Sequence, residues 1–560
     1  MRWIFPDKAA NSPCEELAEA LQLPLSIAEL LWRRGFETDA AARLHLQPRL
    51  GLLSDPFLLP EMRAAVDRIF QAIDRAERIV LFGDYDVDGV SSLALLKRVL
   101  DAYGANVRCF LPTRSGEGYG LSREGLERCR NLWNPTLLVA VDCGTSSVKE
   151  IAGLRKEGVE VVVLDHHECP AELPECVALV NPKRGGDFQY LCSVGIVFKL
   201  AHALMKARRL EGVELKDFLD LVALGTLADL VPLREENRIL VRKGLEQLGR
   251  TRWVGLRALM EVSGVRAPLE AADVGFKLGP RMNAAGRLGT AEDALDLLLT
   301  EDPGRAREIA QRLDEQNRER RGLEEQVFRD AEAQMNAHQS EEMGPVIVVG
   351  SEGWHPGVVG IVASRLMRRY YRPTFVVGFD ETGMGKGSGR SIRGLPLVEA
   401  LRHCGAFLEK FGGHEMAAGV SVRREQFEGF RKAFGAYARE RLSGELLEPC
   451  LEIDAEVLLD EVDAGMLEQY EALSPFGMGN PQPLFALRGV TAGSPPRVLK
   501  EKHLQLALRQ GRALSRAIWF NAPLDNLPPS PWDVAFELSR NEYQGQVSAQ
   551  ILVKAIRSAE

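Results

Sequence analysis

The first clear pattern in the chain alternates short apolar runs with helical spacing. Residues 78–82 form a short apolar run ending at Gly83, residues 90–104 have helical periodicity, and residues 106–112 read as a strand. Residues 136–144 give another buried strand, then a helix to about Lys156, then a strand over 159–167. Near-continuous apolar strands separated by helices predict a parallel sheet covered on both faces. Beyond residue 195 the spacing is helical, with 215–230 as one helix. Residues 303–340 are charged, Gln-rich and almost free of breakers, which predicts one long exposed connecting helix.

A second α/β pattern starts near residue 344. It has strands at 345–350 and 373–380, a helix at 357–371, a Gly-rich stretch at 383–394 and a further segment at 398–410. The segments 451–459, 483–493, 503–509, 513–520, 532–541 and 546–556 are strand-like and split by turns, as in a small OB-like barrel. The predicted architecture is therefore α/β. Residues 1–300 form a parallel-sheet domain with an N-terminal extension and a helical part, and 301–340 a connecting helix. Residues 341–447 form a smaller α/β domain, and 448–560 an OB-like β-barrel.

Composition narrows the setting. At 560 residues the chain is too long for one core. A net charge of −9 counts against a protein that coats nucleic acid by charge alone. No apolar run approaches ~18 residues, so no membrane helix is expected. The N-terminal segment does not read as a signal peptide. Nine cysteines without a Cys-x-x-Cys pair suit a reducing cytosol, not a disulfide framework or zinc ribbon.

The chemistry lies at the strand ends. The first strand runs into Asp84, Asp86 and Asp88, the strand at 136–144 into Asp142, and the strand at 159–167 into Asp165, His166 and His167. In open parallel sheets, ligands bind beyond the carboxyl ends of the strands. Aspartates gathered there repel one another unless cations neutralise them, and carboxylates with imidazoles suit Mn²⁺ or Mg²⁺ better than zinc. Helix capping explains Asp88 or Asp142 singly but not three clusters. An EF-hand fails because its twelfth position is Leu95, where the loop needs Glu. The stretch Gly385–Arg390 lacks the Gly-Lys-Ser/Thr ending of a nucleotide loop.

Phosphate contacts have their own candidates. Arg114 follows a strand end, and Arg281, Ser388, Arg390 and His414 lie in Gly-rich segments where backbone can approach a phosphate. Asn317 and Arg318 in the long helix are further DNA-contact candidates. Phe476, Trp519 and Phe520 are able to stack bases, although core packing is the commoner role. Trp354 beside His355 is equally ambiguous.

These motifs carry a resemblance. Asp84–Gly89, Val141–Gly144 and Asp165-His166-His167 resemble motifs I to III of the DHH phosphoesterase superfamily, and Gly225–Asp229 resembles motif IV. Gly387–Ser391 and Phe411–Gly419 resemble the DHHA1 domain. Glu117–Gly120, Gly279–Arg287 (with Arg281 and Asn283) and Ser474–Pro481 narrow the resemblance to the bacterial single-strand-specific exonucleases. It implies a two-metal site in which Asp142 bridges, Asp86 with Asp84 holds one ion, and Asp88, His166 and Asp229 hold the other. It also implies that His167 serves a phosphate oxygen and that Asp165 orients His166. The two α/β domains would face each other across the long helix, forming a cleft too narrow for duplex. A monomer degrading single-stranded DNA from the 5′ end is implied, in repair and recombination. Single-stranded-DNA-binding protein or a RecQ-type helicase would be its partner. The alternatives are a superfamily phosphodiesterase for short oligonucleotides or cyclic dinucleotides, and an inactive single-strand-binding scaffold.

Overall fold

A computed structural model describes residues 2–6, 11–113, 117, 120–186, 188–337, 344–442 and 444–559. The catalytic candidates sit on a five-stranded, all-parallel sheet made of β1 (Ile79–Phe82), β2 (Val107–Phe110), β3 (Leu137–Val141), β4 (Glu160–Leu164) and β5 (Ala178–Val180). The strand order is β2-β1-β3-β4-β5. The chain reverses its winding direction between β1 and β3, so a crevice opens at their carboxyl ends. The three-residue edge strand β5 is too short to show a pattern in the sequence.

Helices cover both faces. α1 (Val87–Ala102) and α3 (Ser193–Ala207) are buried almost all round, as expected for helices apolar on every side. α2 (Val148–Lys156) covers the opposite face. The helix expected over 215–230 is divided: Leu215–Phe218 forms a 3₁₀ turn, and α4 is Leu219–Asp229. α5 (Gly279–Leu288) completes the helical part.

The long helix α6 (Pro303–Ala337) is not simply exposed. Ala306, Ile309, Ala310 and Leu313 belong to the core of the first domain, and Val327, Phe328 and Ala331 to a core of the second. One rod thus shares its apolar stripe between two domains. In the second domain, β6 (Ile347–Glu352), α7 (Pro356–Tyr370), β7 (Thr374–Phe379), β8 (Met384–Arg390), β9 (Lys410–Gly413) and β10 (Ala417–Arg423) give a sheet ordered β9-β10-β8-β7-β6. The Gly-rich stretch is therefore largely a central strand. Its glycines leave room for neighbouring rings: a Cβ on Gly389 would stand 2.3 Å from the Phe375 ring. Trp354 is core.

The C-terminal barrel comprises β11 (Ala455–Glu456), β12 (Phe485–Leu499), β13 (His503–Gln510), β14 (Ala513–Trp519), β15 (Trp532–Tyr543) and β16 (Gln546–Ser558). Five strands close in the order β12-β13-β14-β16-β15, with β15 returning to β12, and β11 lies beside β12. The N-terminal extension belongs here and not with residues 48–300. Leu17, Ile27, Leu30 and Leu31 share a core with Leu467, Phe485 and Trp519, and Arg2–Ile4 pairs with Cys450–Glu452. Phe476 and Trp519 pack into this core, whereas Phe520 is 55% exposed. The barrel docks onto the first domain through Arg238 and Arg242, which donate to backbone carbonyls of His45, Glu471, Ala472, Leu473 and Ser474. No helix among the described residues is long and apolar enough to cross a membrane.

Candidate metal centre

The turns after β1, β3 and β4 and the end of α4 converge at the carboxyl edge of the first sheet. Three groups of potential ligands arise there, each with ligand atoms within 4.8 Å of one another: Asp84, Asp86 and Asp142; Asp142, His166 and His167, which shares Asp142 with the first; and Asp88, Asp229 and Cys192. Nε2 of His166 is 3.3 Å from Asp142, 3.6 Å from Asp229 and 4.0 Å from Asp88, which joins the groups into one centre.

Each side chain is aimed by local structure. Asp86 caps α1, accepting from the Gly89 amide at 3.0 Å. The amides of Ser193 and Val194, opening α3, donate to Asp88 at 2.8 and 2.9 Å. The Ser193 hydroxyl donates to Asp142 at 2.9 Å. Two carboxylates are thus held by one helix N-terminus, whose partial positive charge favours them. Asp142 has φ +63°, a left-handed conformation that costs a non-glycine residue about 1–2 kcal/mol. Strain of this kind persists where the surrounding structure enforces it.

Asp165 differs from its expected role. It accepts from the Thr145 amide at 2.9 Å, from the His166 amide at 2.8 Å, and from Nδ1 of His167 at 2.6 Å. The imidazole it orients is that of His167, not His166. Asn181, which donates to Thr145 Oγ1 at 3.0 Å and to the His167 carbonyl at 2.9 Å, completes this support.

The electrostatics fit a divalent cation site. Burial, then the other aspartates, raises Asp88 and Asp142 well above the ordinary carboxylate range. Burial and then Asp86 push Asp229 up to about 6. Its Oδ2 is buried without a hydrogen-bond donor among the described residues. Burial and then His167 push His166 down to about 4, which leaves a neutral imidazole able to ligate. Burial is the largest single influence on Asp165 and His167 and opposes their charge. Their mutual hydrogen bond and attraction, with the Thr145 donors to Asp165 and the carboxylates near His167, together outweigh it, lowering Asp165 and raising His167. Burial holds the Cys192 thiol protonated, and it donates to Thr226. The available donors are therefore oxygen and imidazole nitrogen, suited to Mn²⁺ or Mg²⁺.

The substrate candidates are less uniform. Arg114 lies outside the described residues. Glu117 accepts from Arg128 at 2.6 Å and from the Thr113 amide at 2.7 Å. Arg281 is committed to Asp314 at 2.8 Å and to the Lys277 carbonyl at 2.7 Å. Asn283, on α5, is half-buried. Asn317 is buried beneath Arg320 within α6, so the expected surface contact with DNA is not there. Arg318 pairs with Asp314. Ser388 and Arg390 sit on β8 against α7, where Arg390 donates to Ser388 Oγ at 2.9 Å. His414 is exposed, in the turn between β9 and β10.

The sequence reading missed Ser193, Thr145 and Asn181. Only a serine opening a helix could have pointed to Ser193, and that signal occurs in many helices.

Family models match three segments: DHH family, N-terminal domain, over residues 78–226; DHHA1 domain over 343–440; and RecJ OB domain over 453–555. The chain is 37% identical to the single-stranded-DNA-specific exonuclease RecJ of Bacillus subtilis (strain 168), over 99% of this chain and 70% of that protein. The crystal structure of RecJ from Thermus thermophilus in complex with Mn²⁺ superposes with a TM-score of 0.86 at 32% identity, covering 100% of this chain and 80% of that one. The corresponding Mg²⁺ complex gives 0.79 at 31% identity, covering 100% and 79%.

Proposed function

Because the chain belongs to the RecJ family of single-stranded-DNA-specific exonucleases, we propose that its carboxylate–histidine centre cuts phosphodiester bonds one nucleotide at a time from the 5′ end of a single strand. The enzyme is a metal-dependent single-stranded-DNA exonuclease using Mn²⁺ or Mg²⁺. The observation that carries the site assignment is the sharing of Asp142 between two ligand groups at the β1/β3 crevice. On this reading Asp84, Asp86 and Asp142 hold one ion, and Asp88, Asp142, His166 and Asp229 the other. Bound there, the pair supplies Lewis acidity to the scissile phosphoryl group and neutralises the clustered acids.

The protein's own groups do the rest. Ser193 and the start of α3 fix Asp88 and Asp142 in place before substrate arrives. Asp165 occupies Nδ1 of His167, whose side chain is 45% exposed, and the protonated imidazole can donate to a phosphate oxygen. Ser388 and Arg390, with Arg281 and His414, line the approach for the 5′-terminal phosphate and the backbone. The proposed setting is the cytoplasm, as a monomer acting on strands presented by single-stranded-DNA-binding protein or a RecQ-type helicase during repair and recombination. A dinucleotide-specific enzyme is not favoured, because the resemblance extends through the barrel.

The direct test follows product release from a 5′-phosphorylated oligonucleotide labelled at either end, with Mn²⁺ or EDTA. Mononucleotides should leave from the 5′ end, only with metal, and from single strands in preference to duplex. Release beginning at the 3′ end would reverse the polarity assignment. In the same assay Arg390→Ala should lower kcat/KM for 5′-phosphorylated ends about tenfold, the worth of one charge-assisted hydrogen bond, chiefly through KM. Equal loss on 5′-hydroxyl ends would remove Arg390 from the terminal-phosphate role.

A further inference from the structure

Asp229 is held differently from its neighbours. Hydrogen bonds fix the side chains of Asp86 and Asp88 from within the first domain, whereas no side-chain hydrogen bond restrains Asp229 among the described residues. Apart from the approach of His166 Nε2 at 3.6 Å, its carboxylate is directed by the path of its backbone. That backbone leaves α4 at once, because Leu230 turns left-handed with φ +64°. The segment 230–234 is then gripped by the barrel domain. The Leu233 amide donates to the Met478 carbonyl at 2.7 Å, and Arg234 Nε donates to the Gly479 carbonyl at 3.2 Å.

The gripping turn is itself rigid. Gly477 and Asn480 exchange backbone hydrogen bonds at 2.9 and 3.1 Å. Asn480 donates to the carbonyls of Leu473 and Pro475 and accepts from Arg34 at 2.6 Å. Gly479 has φ +73°, and a Cβ there would stand 2.9 Å from the Pro232 side chain. The turn therefore fits against residues 232–234 as a closely packed backbone surface, too elaborate for a simple tether.

We propose that the 474–481 turn of the barrel domain is a positioning element for Asp229, seating the loop that carries this carboxylate so that the second ion site is complete only when the barrel is docked. The proposal rests on the reading of Asp229 as a metal ligand. The barrel then contributes to metal binding as well as to the DNA track.

The test is calorimetric titration of the full chain with Mn²⁺ alone, with near-ultraviolet circular dichroism as the folding control. Gly479→Ala should weaken one of two binding events about tenfold and leave the other unchanged, as loss of a ligand-orienting contact does. Arg234→Ala, which removes only a partly exposed hydrogen bond, should weaken the same event by less. Adding Gly479→Ala to Asp229→Ala should cause no further loss. Wild-type affinity in a folded Gly479→Ala protein, with one event weakened by Asp229→Ala, overturns the positioning role alone. If Gly479→Ala does not fold, unchanged affinity in Arg234→Ala overturns it. Two unaltered events in Asp229→Ala overturn both the proposal and the ligand reading beneath it.

Discussion

Asp142→Asn is expected to lower strand cleavage by at least about 10⁴-fold at every Mn²⁺ concentration. The amide keeps the size of the side chain and can still accept from Ser193, so the fold has no reason to change. It removes the charge that two ligand groups share, and a neutral oxygen is a poor bridge between two dications. Single-strand binding should survive. The metal-free protein should gain from the same change, with its melting temperature rising roughly 2–4 °C, because Asp142 is buried and repelled by Asp88, Asp86 and Asp84.

The sign follows from linkage. Asp142 and Asp229 titrate higher folded than unfolded, so native protein binds protons that unfolded chain has lost. The stability they contribute without metal is greatest below the ordinary carboxylate range and falls as pH rises through the Asp229 value of about 6. Thermal melts in EDTA at several pH values, with and without the substitution, measure this. A mutant that cuts normally, or whose apo form is less stable, contradicts the assignment of Asp142.

Asp165→Asn is expected to cost about hundredfold in kcat, the usual range for a group that orients a reacting side chain. The carboxylate accepts from Thr145, from two consecutive amides and from the His167 ring. The asparagine oxygen can replace one acceptor, but its NH₂ would face donors. The His167 ring would then lose the partner that fixes its tautomer and its raised pKa. Metal affinity should change little, because Asp165 does not reach the His166 ring. A calorimetric titration beside single-turnover rates separates the two effects. A matching collapse of Mn²⁺ affinity would place Asp165 behind the ligands instead.

The parts of this architecture that could be read from the sequence are those where local pattern and tertiary role coincide. β1, β3 and β4 are buried on both faces, so they appear as apolar runs, and their acidic ends announce the crevice. The barrel strands carry enough alternation and turn residues to be counted. Other features depend on partners distant in the chain. Ser193 looks like any helix-opening serine until α3 is laid against Asp142. The amphipathic face with Ile27, Leu30 and Leu31 shows that something must cover it, but not that the barrel, over 400 residues away, is what covers it. Glycines at alternate positions of β8 gave no strand signal, because propensity does not register the Phe379, Val377 and Phe375 side chains filling the space they leave. Asn317 looked available because α6 is charged throughout, yet it lies where the helix passes between two cores.

The docking of the barrel has a practical corollary. Arg238 and Arg242 are received there by main-chain oxygens and the Ser474 hydroxyl, none with formal charge, so among the described residues these contacts offer dissolved ions no ion pair to screen. The grip on a polyanionic strand weakens steeply in concentrated electrolyte. Inhibition by high salt should therefore reflect release of the nucleic acid from a body that stays assembled, and turnover should return on simple dilution without refolding.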